Sequence, residues 1–316
     1  MRVLITGING FAGSHLCDYI LNYEQDVKIY GTIRRRSSRE NIAHILDKLN
    51  LIECDLRDSH SVDYMIWEVR PDKIFHLAAQ SHVPTSWKIP TETFESNIIG
   101  TLNLLEAVRH TKINPVIQIA GSSEEYGLVY LNELPVKETN QLRPLSPYAV
   151  SKVAQDLLGW QYFKSYGLRI VRTRAFNHSG ARRPADFVDS GFAKQIAEIE
   201  KDKREFLEHG NLDAIRDFSD VRDIVRAYWQ VTENENLYGE VINICSGNGW
   251  KIKDVLRELI RMSDKKIKTI YDKKRGRPSD VPILIGDNKL ISNIWIPEHD
   301  YKSTLLDMLN FWRKRV

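Results

Sequence analysis

The sequence predicts an α/β chain in which a doubly wound parallel sheet is followed by a smaller C-terminal lobe. Three observations carry this expectation. Short apolar runs alternate with amphipathic stretches of helical period through the first half, a glycine cluster separates the first run from the first helix, and the rhythm loosens beyond about residue 178. Parallel strands need long crossovers, and helices supply them, so this alternation describes a sheet covered on both faces. A chain of 316 residues has the length for two lobes, each with its own core.

The first strand is Val3-Leu4-Ile5, ending in Thr6-Gly7, and residues 11–21 follow with apolar side chains at helical spacing. Further short runs come at Val27-Lys28-Ile29-Tyr30-Gly31, around Leu51-Ile52-Glu53-Cys54-Asp55, at Lys73-Ile74-Phe75-His76-Leu77 and at Pro115-Val116-Ile117-Gln118-Ile119. Later come a Gly/Arg/Pro loop at 180–184, a charged segment at 198–205, and helices at 252–262 and 305–313. Strand-like Val241-Ile242-Asn243-Ile244 and the helix expected before it at 220–231 return to the first lobe. Residues 1–178 with a returning segment at about 218–246 therefore form one lobe, and residues 179–217 with 247–316 the other.

Lys and Arg number 45 against 42 Asp and Glu, a formal charge of +3. That balance excludes a surface built broadly for nucleic acid and leaves room for a local basic pocket that takes an anionic small molecule. No apolar stretch approaches the ~18 residues of a membrane span, and the apolar opening is too short for a signal-peptide core. A cytoplasmic protein is expected. Cys17, Cys54 and Cys245 are widely spaced and the nine histidines form no His-Glu-x-x-His pattern, so no metal site is expected.

Gly7-Ile8-Asn9-Gly10-Phe11-Ala12-Gly13 sits between the first strand and the first helix. Gly7 permits the tight turn, Gly10 lets backbone approach a pyrophosphate, and Gly13 allows close helix–strand packing, with helix N–H groups toward the phosphates. This is the fingerprint of a Rossmann-type dinucleotide site, in which Asn9, Phe11 and Ala12 join the glycines. The second strand ends not in an acidic residue but in Arg34 and Arg35, whose guanidinium geometry suits a 2′-phosphate; NADP is the expected cofactor. Asp55-Leu56 and Leu77-Ala78-Ala79 fall where adenine and the nicotinamide ribose are lined.

Tyr148 and Lys152, four apart after the helix start Ser146-Pro147, share a helix face. An ammonium beside the phenol favours phenolate and lowers the tyrosine pKa, which makes Tyr148 a general base. The fifth run continues into Ala120-Gly121-Ser122-Ser123-Glu124, and an extended backbone there sends Ser122 and Glu124 to the same side.

Over nearly its whole length the chain resembles an extended short-chain dehydrogenase/reductase acting on nucleotide sugars. More narrowly, Gly31-Thr32-Ile33-Arg34-Arg35 with Ser37-Ser38, Ala79-Gln80-Ser81-His82-Val83, Ser123-Glu124-Glu125-Tyr126-Gly127-Leu128-Val129, Ser146-Pro147-Tyr148-Ala149-Val150 and Phe176-Asn177-His178 resemble the GDP-mannose 4,6-dehydratases. The related GDP-4-keto-6-deoxy-mannose reductases, which form GDP-rhamnose, share Gly121-Ser122-Ser123-Glu124-Glu125-Tyr126-Gly127 and Arg216-Asp217-Phe218.

The resemblance implies that Ser122, Glu124, Tyr148 and Lys152 are catalytic, with Glu124 removing the C5 proton. It implies that Ser81, His178, Tyr148 and Lys152 touch NADP, and that Ser86, Ser122, Glu124, Asn177, Val188, Lys194, Asn211, Arg216, Arg277 and Asp280 touch a GDP-hexose. A homo-oligomer, dimer or tetramer, is also implied. Arg182-Arg183 resemble the basic loop that reaches cofactor at a subunit interface in the dehydratases. Ser122 in place of Thr, Pro184 in place of glycine, the lack of basic residues in Asp189-Ser190-Gly191 and the shorter length keep the reductase as the alternative. Regulators of this superfamily that bind NADP without turnover commonly lose the tyrosine or lysine, and both are present here.

Overall fold

A computed structural model of the chain describes residues 1–273 and 281–316. Its strands are β1 (Arg2–Thr6), β2 (Lys28–Ile33), β3 (Leu49–Glu53), β4 (Lys73–His76), β5 (Val116–Ala120), β6 (Arg169–Ala175), β7 (Asn177–Ser179), β8 (Leu207–His209), β9 (Ile215–Asp220), β10 (Val241–Ile244), β11 (Gly249–Lys251), β12 (Thr269–Tyr271) and β13 (Ile283–Leu284). The helices are α1 (Phe11–Tyr23), α2 (Ser59–Val69), α3 (Val83–Lys88), α4 (Pro90–Phe94), α5 (Gly100–Thr111), α6 (Pro147–Tyr166), α7 (Val188–Glu200), α8 (Val221–Thr232), α9 (Ile252–Arg261) and α10 (Tyr301–Arg313). None of the described helices is long and apolar enough to cross a membrane.

Seven parallel strands form the main sheet in the order β10-β6-β5-β4-β1-β2-β3. The period-2 alternation of a strand decides which face each side chain serves. Val3 and Ile5 of β1 face α1 and α8, packing with Leu16, Ile20, Ile224 and Trp229, whereas Leu4 faces the other way into Met65, Ile66, Leu104 and Leu105 of α2 and α5. Both faces are covered, which is why the strands read as continuous apolar runs. Winding runs outward from β1 to β3 and then crosses back to β4. A crevice therefore opens at the carboxyl ends of β1 and β4, where such sheets bind ligands.

Helix α8 and strand β10 return to this sheet, β10 pairing with β6. Strand β8 pairs separately with β12, and the other four of the remaining strands make a second, smaller sheet in which β9 pairs with β7, β11 and β13. Against it α7, α9 and α10 bury Phe192, Ile196, Val255, Leu259, Leu305 and Met308. The core strand β9, Ile-Arg-Asp-Phe-Ser-Asp, carries no apolar alternation and is absent from the sequence expectation, yet five of its six residues are buried. Asp217 explains it: the buried carboxylate accepts from Ser246 and Gly247 N–H at 2.9 Å and from Gly286 N–H at 3.2 Å, pinning two loops.

Candidate active site

The crevice is a continuous cleft of about 1030 Å³ that runs from the glycine loop to the smaller lobe. At its closed end Gly7 has a φ of +70°, and a Cβ on Gly13 would stand 2.5 Å from Gly7 O and 2.9 Å from Ile8 Cα. Helix α1 begins at Gly10 with neither a side-chain cap nor an acidic residue in its first turn. Its leading N–H groups and positive dipole end are thus left for a ligand's phosphates. Asn9 Nδ2 donates to Ser37 Oγ at 3.0 Å and to Ser38 O at 2.7 Å, fastening the glycine loop to the loop after β2. Gly7, Asn9, Gly10, Phe11, Ala12, Gly13, Arg34, Asp55, Leu56, Leu77, Ala78, Ala79, Ser81 and His178 all line this part. Arg57 donates to Asp55 at 2.6 Å and holds that carboxyl below its usual range. The His178 ring lies parallel to Phe11 at 5.8 Å, and burial, with Arg183 adding, lowers it to about 4, so it is neutral near pH 7. These residues fit a dinucleotide.

Midway along the cleft stand Ser122, Glu124, Tyr148 and Lys152. Ser146 opens α6 by accepting the Ala149 N–H at 3.1 Å, with Pro147 at the first helical position, and this fixes where Tyr148 emerges. The extended backbone expected through Ser123 is not what brings Ser122 and Glu124 together. The chain leaves β5 and closes a 3₁₀ turn over Ser123–Glu125, capped by the Ser122 hydroxyl, which accepts the Glu124 N–H at 3.2 Å. Glu124 still reaches the cleft, half-buried, and among the described residues it has no cationic partner. The expected lowering of the Tyr148 phenol by Lys152 is also absent. Burial pushes the phenol well above its ordinary value, a hydrogen bond with Ser122 draws it back, and Glu124 and Glu125 push it up further. Lys152 donates to Ala120 O at 2.7 Å, and burial lowers its ammonium to about 8 against the pull of Glu125.

At the far end the cleft is lined by Asn177, Val188, Asn211 and Arg216. Three residues assigned to ligands stand off it. Arg35 is exposed beyond the wall that Arg34 forms, since alternate residues leaving β2 point apart. Ser86 is fully buried inside α3, its hydroxyl donating to Val83 O at 2.7 Å. Lys194 of α7 is not among the residues that line the cleft, and its ammonium lies 3.8 Å from Glu198 and 5.5 Å from the Trp312 ring. Arg277 and Asp280 lie outside the described residues.

Arg182 and Arg183 both make contacts within their own chain. Arg182 donates to Asp18 at 2.5 Å and to Asn41 O at 3.1 Å, clamping the loop onto α1. Arg183 is buried, paired with Asp189 at 3.2 Å and packed 4.6 Å from the Phe187 ring, and it lines the cleft beside Phe11. Arg183, Phe187, His82 and Tyr228 are cleft residues that the site assignment left out. Arg183 had a signal in its place in the basic loop five residues after His178, and His82 in the run Ala79-Gln80-Ser81-His82-Val83. Tyr228, hydrogen-bonded to Thr173 from α8, reads in sequence as an ordinary core aromatic.

Comparison with known proteins agrees with this geometry. The family model for GDP-mannose 4,6 dehydratase matches residues 4–308. The chain is 30% identical over 318 aligned positions to a GDP-6-deoxy-D-mannose reductase of Pseudomonas aeruginosa, covering 100% of this chain and 98% of that protein. It is 35% identical over 355 positions to a GDP-mannose 4,6-dehydratase of Yersinia enterocolitica, covering 98% and 92%. The solved structure of RMD from Pseudomonas aeruginosa complexed with NADPH superposes with a TM-score of 0.86 at 30% identity, covering 100% of this chain and 99% of that one. The chain belongs to the GDP-mannose 4,6-dehydratase family.

Proposed function

We propose that the protein converts GDP-mannose to GDP-4-keto-6-deoxy-mannose with NADP as a cofactor that is restored in each turnover. The observation that carries this reading is Glu124, a carboxylate in the cleft beside Tyr148 with no cationic partner among the described residues. Elimination needs a base at C5 and Glu124 is placed to be one, although the related reductases carry the same Gly-Ser-Ser-Glu-Glu run. Tyr148, as the phenolate that the Lys152 ammonium and the positive charge of a bound oxidised nicotinamide would favour against the effect of burial, takes the proton of the 4-hydroxyl, with Ser122 hydrogen-bonding the same oxygen. A nicotinamide held by the glycine loop and the residues around it would supply the hydride acceptor for C4 and the donor for C6. The C4 ketone acidifies C5; Glu124 removes that proton and delivers it to the departing C6 hydroxyl, which leaves as water, and the proton that Tyr148 took from the 4-hydroxyl then passes to C5, directly or through solvent, which restores the base.

Arg34 on the cleft wall, and the lack of an acidic residue at the end of β2, support NADP over NAD, as does the NADPH held by the RMD neighbour. Arg216 supplies a buried guanidinium for the diphosphate, and Asn177, Val188 and Asn211 surround the rest of the sugar nucleotide. One lobe thus holds the cofactor while the other closes on the substrate. Val150, Leu157 and Trp160 leave an exposed apolar stripe along α6, beside exposed Trp87 and Phe94, which supports assembly into a homo-oligomer.

A second reading, NADPH-dependent reduction of the 4-keto-6-deoxy sugar, draws on one specific observation. The alignment to the reductase needs 318 positions for the whole chain, while that to the Yersinia dehydratase spreads over 355. Incubating the purified protein with NADP and GDP-mannose, without reductant, tests both. Mass spectrometry should show a product lighter by one water; unchanged GDP-mannose with cofactor bound, together with NADPH oxidation by the 4-keto-6-deoxy sugar, would replace the first reading by the second.

A further inference from the structure

Behind the Ser122 turn lies a group of charges that the proposed chemistry does not use. Glu125, fully buried, accepts the Ser122 N–H on Oε1 at 2.7 Å and the Arg174 Nε–H on Oε2 at 2.9 Å. Arg174 also donates to Asp156 of α6, and Asp156 accepts from Arg172 at 2.7 Å. Asp156 stands one helical turn beyond Lys152. A single carboxylate therefore grips the residue that caps the turn and, through one guanidinium, the helix that carries Tyr148 and Lys152. There is little slack around it, since a Cβ on Gly121 would overlap Glu125 Oε1.

We propose that Glu125 is a positioning residue for the reaction: it holds Ser122 and the Lys152 turn of α6 in one geometry about Tyr148, and its negative charge sets the pH at which that tyrosine exchanges its proton. This rests on the reading of Tyr148, Lys152 and Ser122 as the reacting set.

The charged and titratable groups that face Glu125 are Arg174 from β6 and Asp156, Lys152 and Tyr148 from α6, with Glu124 and Tyr126 flanking it in its own turn. Arg172 and Glu138 stand behind Asp156 and Arg174. Burial, then Asp156, raises the Glu125 carboxyl to about 8, while Arg174 opposes them. Above about pH 8 it is ionised, with both of its oxygens accepting from N–H donors, one of them a guanidinium. In that form it raises both the Tyr148 phenol and the Lys152 ammonium. Removing its charge lowers both.

The test compares Glu125→Gln with Glu125→Asp in the full-length protein saturated with NADP, each variant's folding being checked by thermal melting. For Glu125→Gln the limb of the kcat/KM profile that belongs to Tyr148 should move at least half a pH unit lower, with kcat down about tenfold and KM for GDP-mannose within twofold. A profile superimposed on that of the wild type would overturn the proposal, as would a rise in KM at unchanged kcat. Glu125→Asp keeps the charge but shortens its reach, so its profile should stay in place while kcat falls about tenfold; a wild-type kcat there would overturn the positioning role even if the Gln variant fails to fold. If the wild-type protein releases no water from GDP-mannose, it is the elimination reading that fails. The same pair is then measured on NADPH-dependent reduction of the 4-keto-6-deoxy sugar, where the basic limb must shift in the same direction.

Discussion

At the scale of single residues, substitution of Glu124 tests two chemistries that would share Tyr148, Lys152 and Ser122. Replacing it with Gln keeps the shape and removes the base, so water elimination should fall by about 10²–10⁴-fold while reduction of an added C4 ketone stays within tenfold of wild type. Rates from mass spectrometry and NADPH absorbance measure the two; equal losses would remove Glu124 from its assigned role. Lys152 adds a pH dependence of its own. Burial brings its ammonium to about 8, so the positive charge is present below that pH and disappears as pH rises through it. NADPH affinity should therefore weaken above about pH 8 by up to tenfold per unit, and Lys152→Met should abolish that slope in a fluorescence titration. The types and spacing of these residues were readable from sequence, but their proton affinities were not, because burial outweighs the neighbouring ammonium at Tyr148 and no local pattern reports burial.

At the scale of elements, β1 to β5, β10 and the helix α8 were legible, because these strands carry apolar runs and their crossovers have helical period, whereas β6, with three arginines in seven residues, was not placed. Neither was strand β9: its buried Arg216, Asp217, Ser219 and Asp220 are stabilised by hydrogen bonds to loops distant in sequence. Ser86 and Lys194 show the same limit from the other side. Motif resemblance placed them near a ligand, but their positions on α3 and α7 turn them into the core and away from the cleft. The β1–α1 junction allows a sharp test. Gly13→Ala would force α1 away from Gly7 O and Ile8, so NADPH binding should weaken by at least tenfold, while a melting point lowered by only a few degrees would show that the rest of the sheet persists. Removing the Ser146 cap with Ala should cost about 1 kcal/mol of stability in urea unfolding, because one orphan N–H at the start of α6 loses its acceptor.

At the scale of the whole molecule, three histidines are enclosed in the lobe that carries the glycine loop. His15 contacts the Arg182 loop, His178 stacks on Phe11, and His76 lies between Thr6 and Thr101 beneath the first and fourth strands. Burial lowers them to about 4, about 4 and about 3, with Arg182, Arg183 and Lys152 respectively adding to the effect. The unfolded chain takes up these three protons near pH 6.5, whereas the folded chain refuses them until about pH 4 or below. The stability they lend is thus complete above pH 6.5 and is lost as the pH falls toward 4. Glu125, raised to about 8, holds a proton in the folded state across the same window and opposes one of the three. The net difference of about two protons corresponds to at most ~3 kcal/mol per pH unit. Urea unfolding at pH 7, 6 and 5.5 should show stability falling with pH, and His76→Gln, which removes one refused proton, should flatten the slope by about one proton. A slope unchanged in that variant would mean that His76 charges in the folded state, and that the hydrogen bonds to Thr6 and Thr101 do not depend on its neutral form.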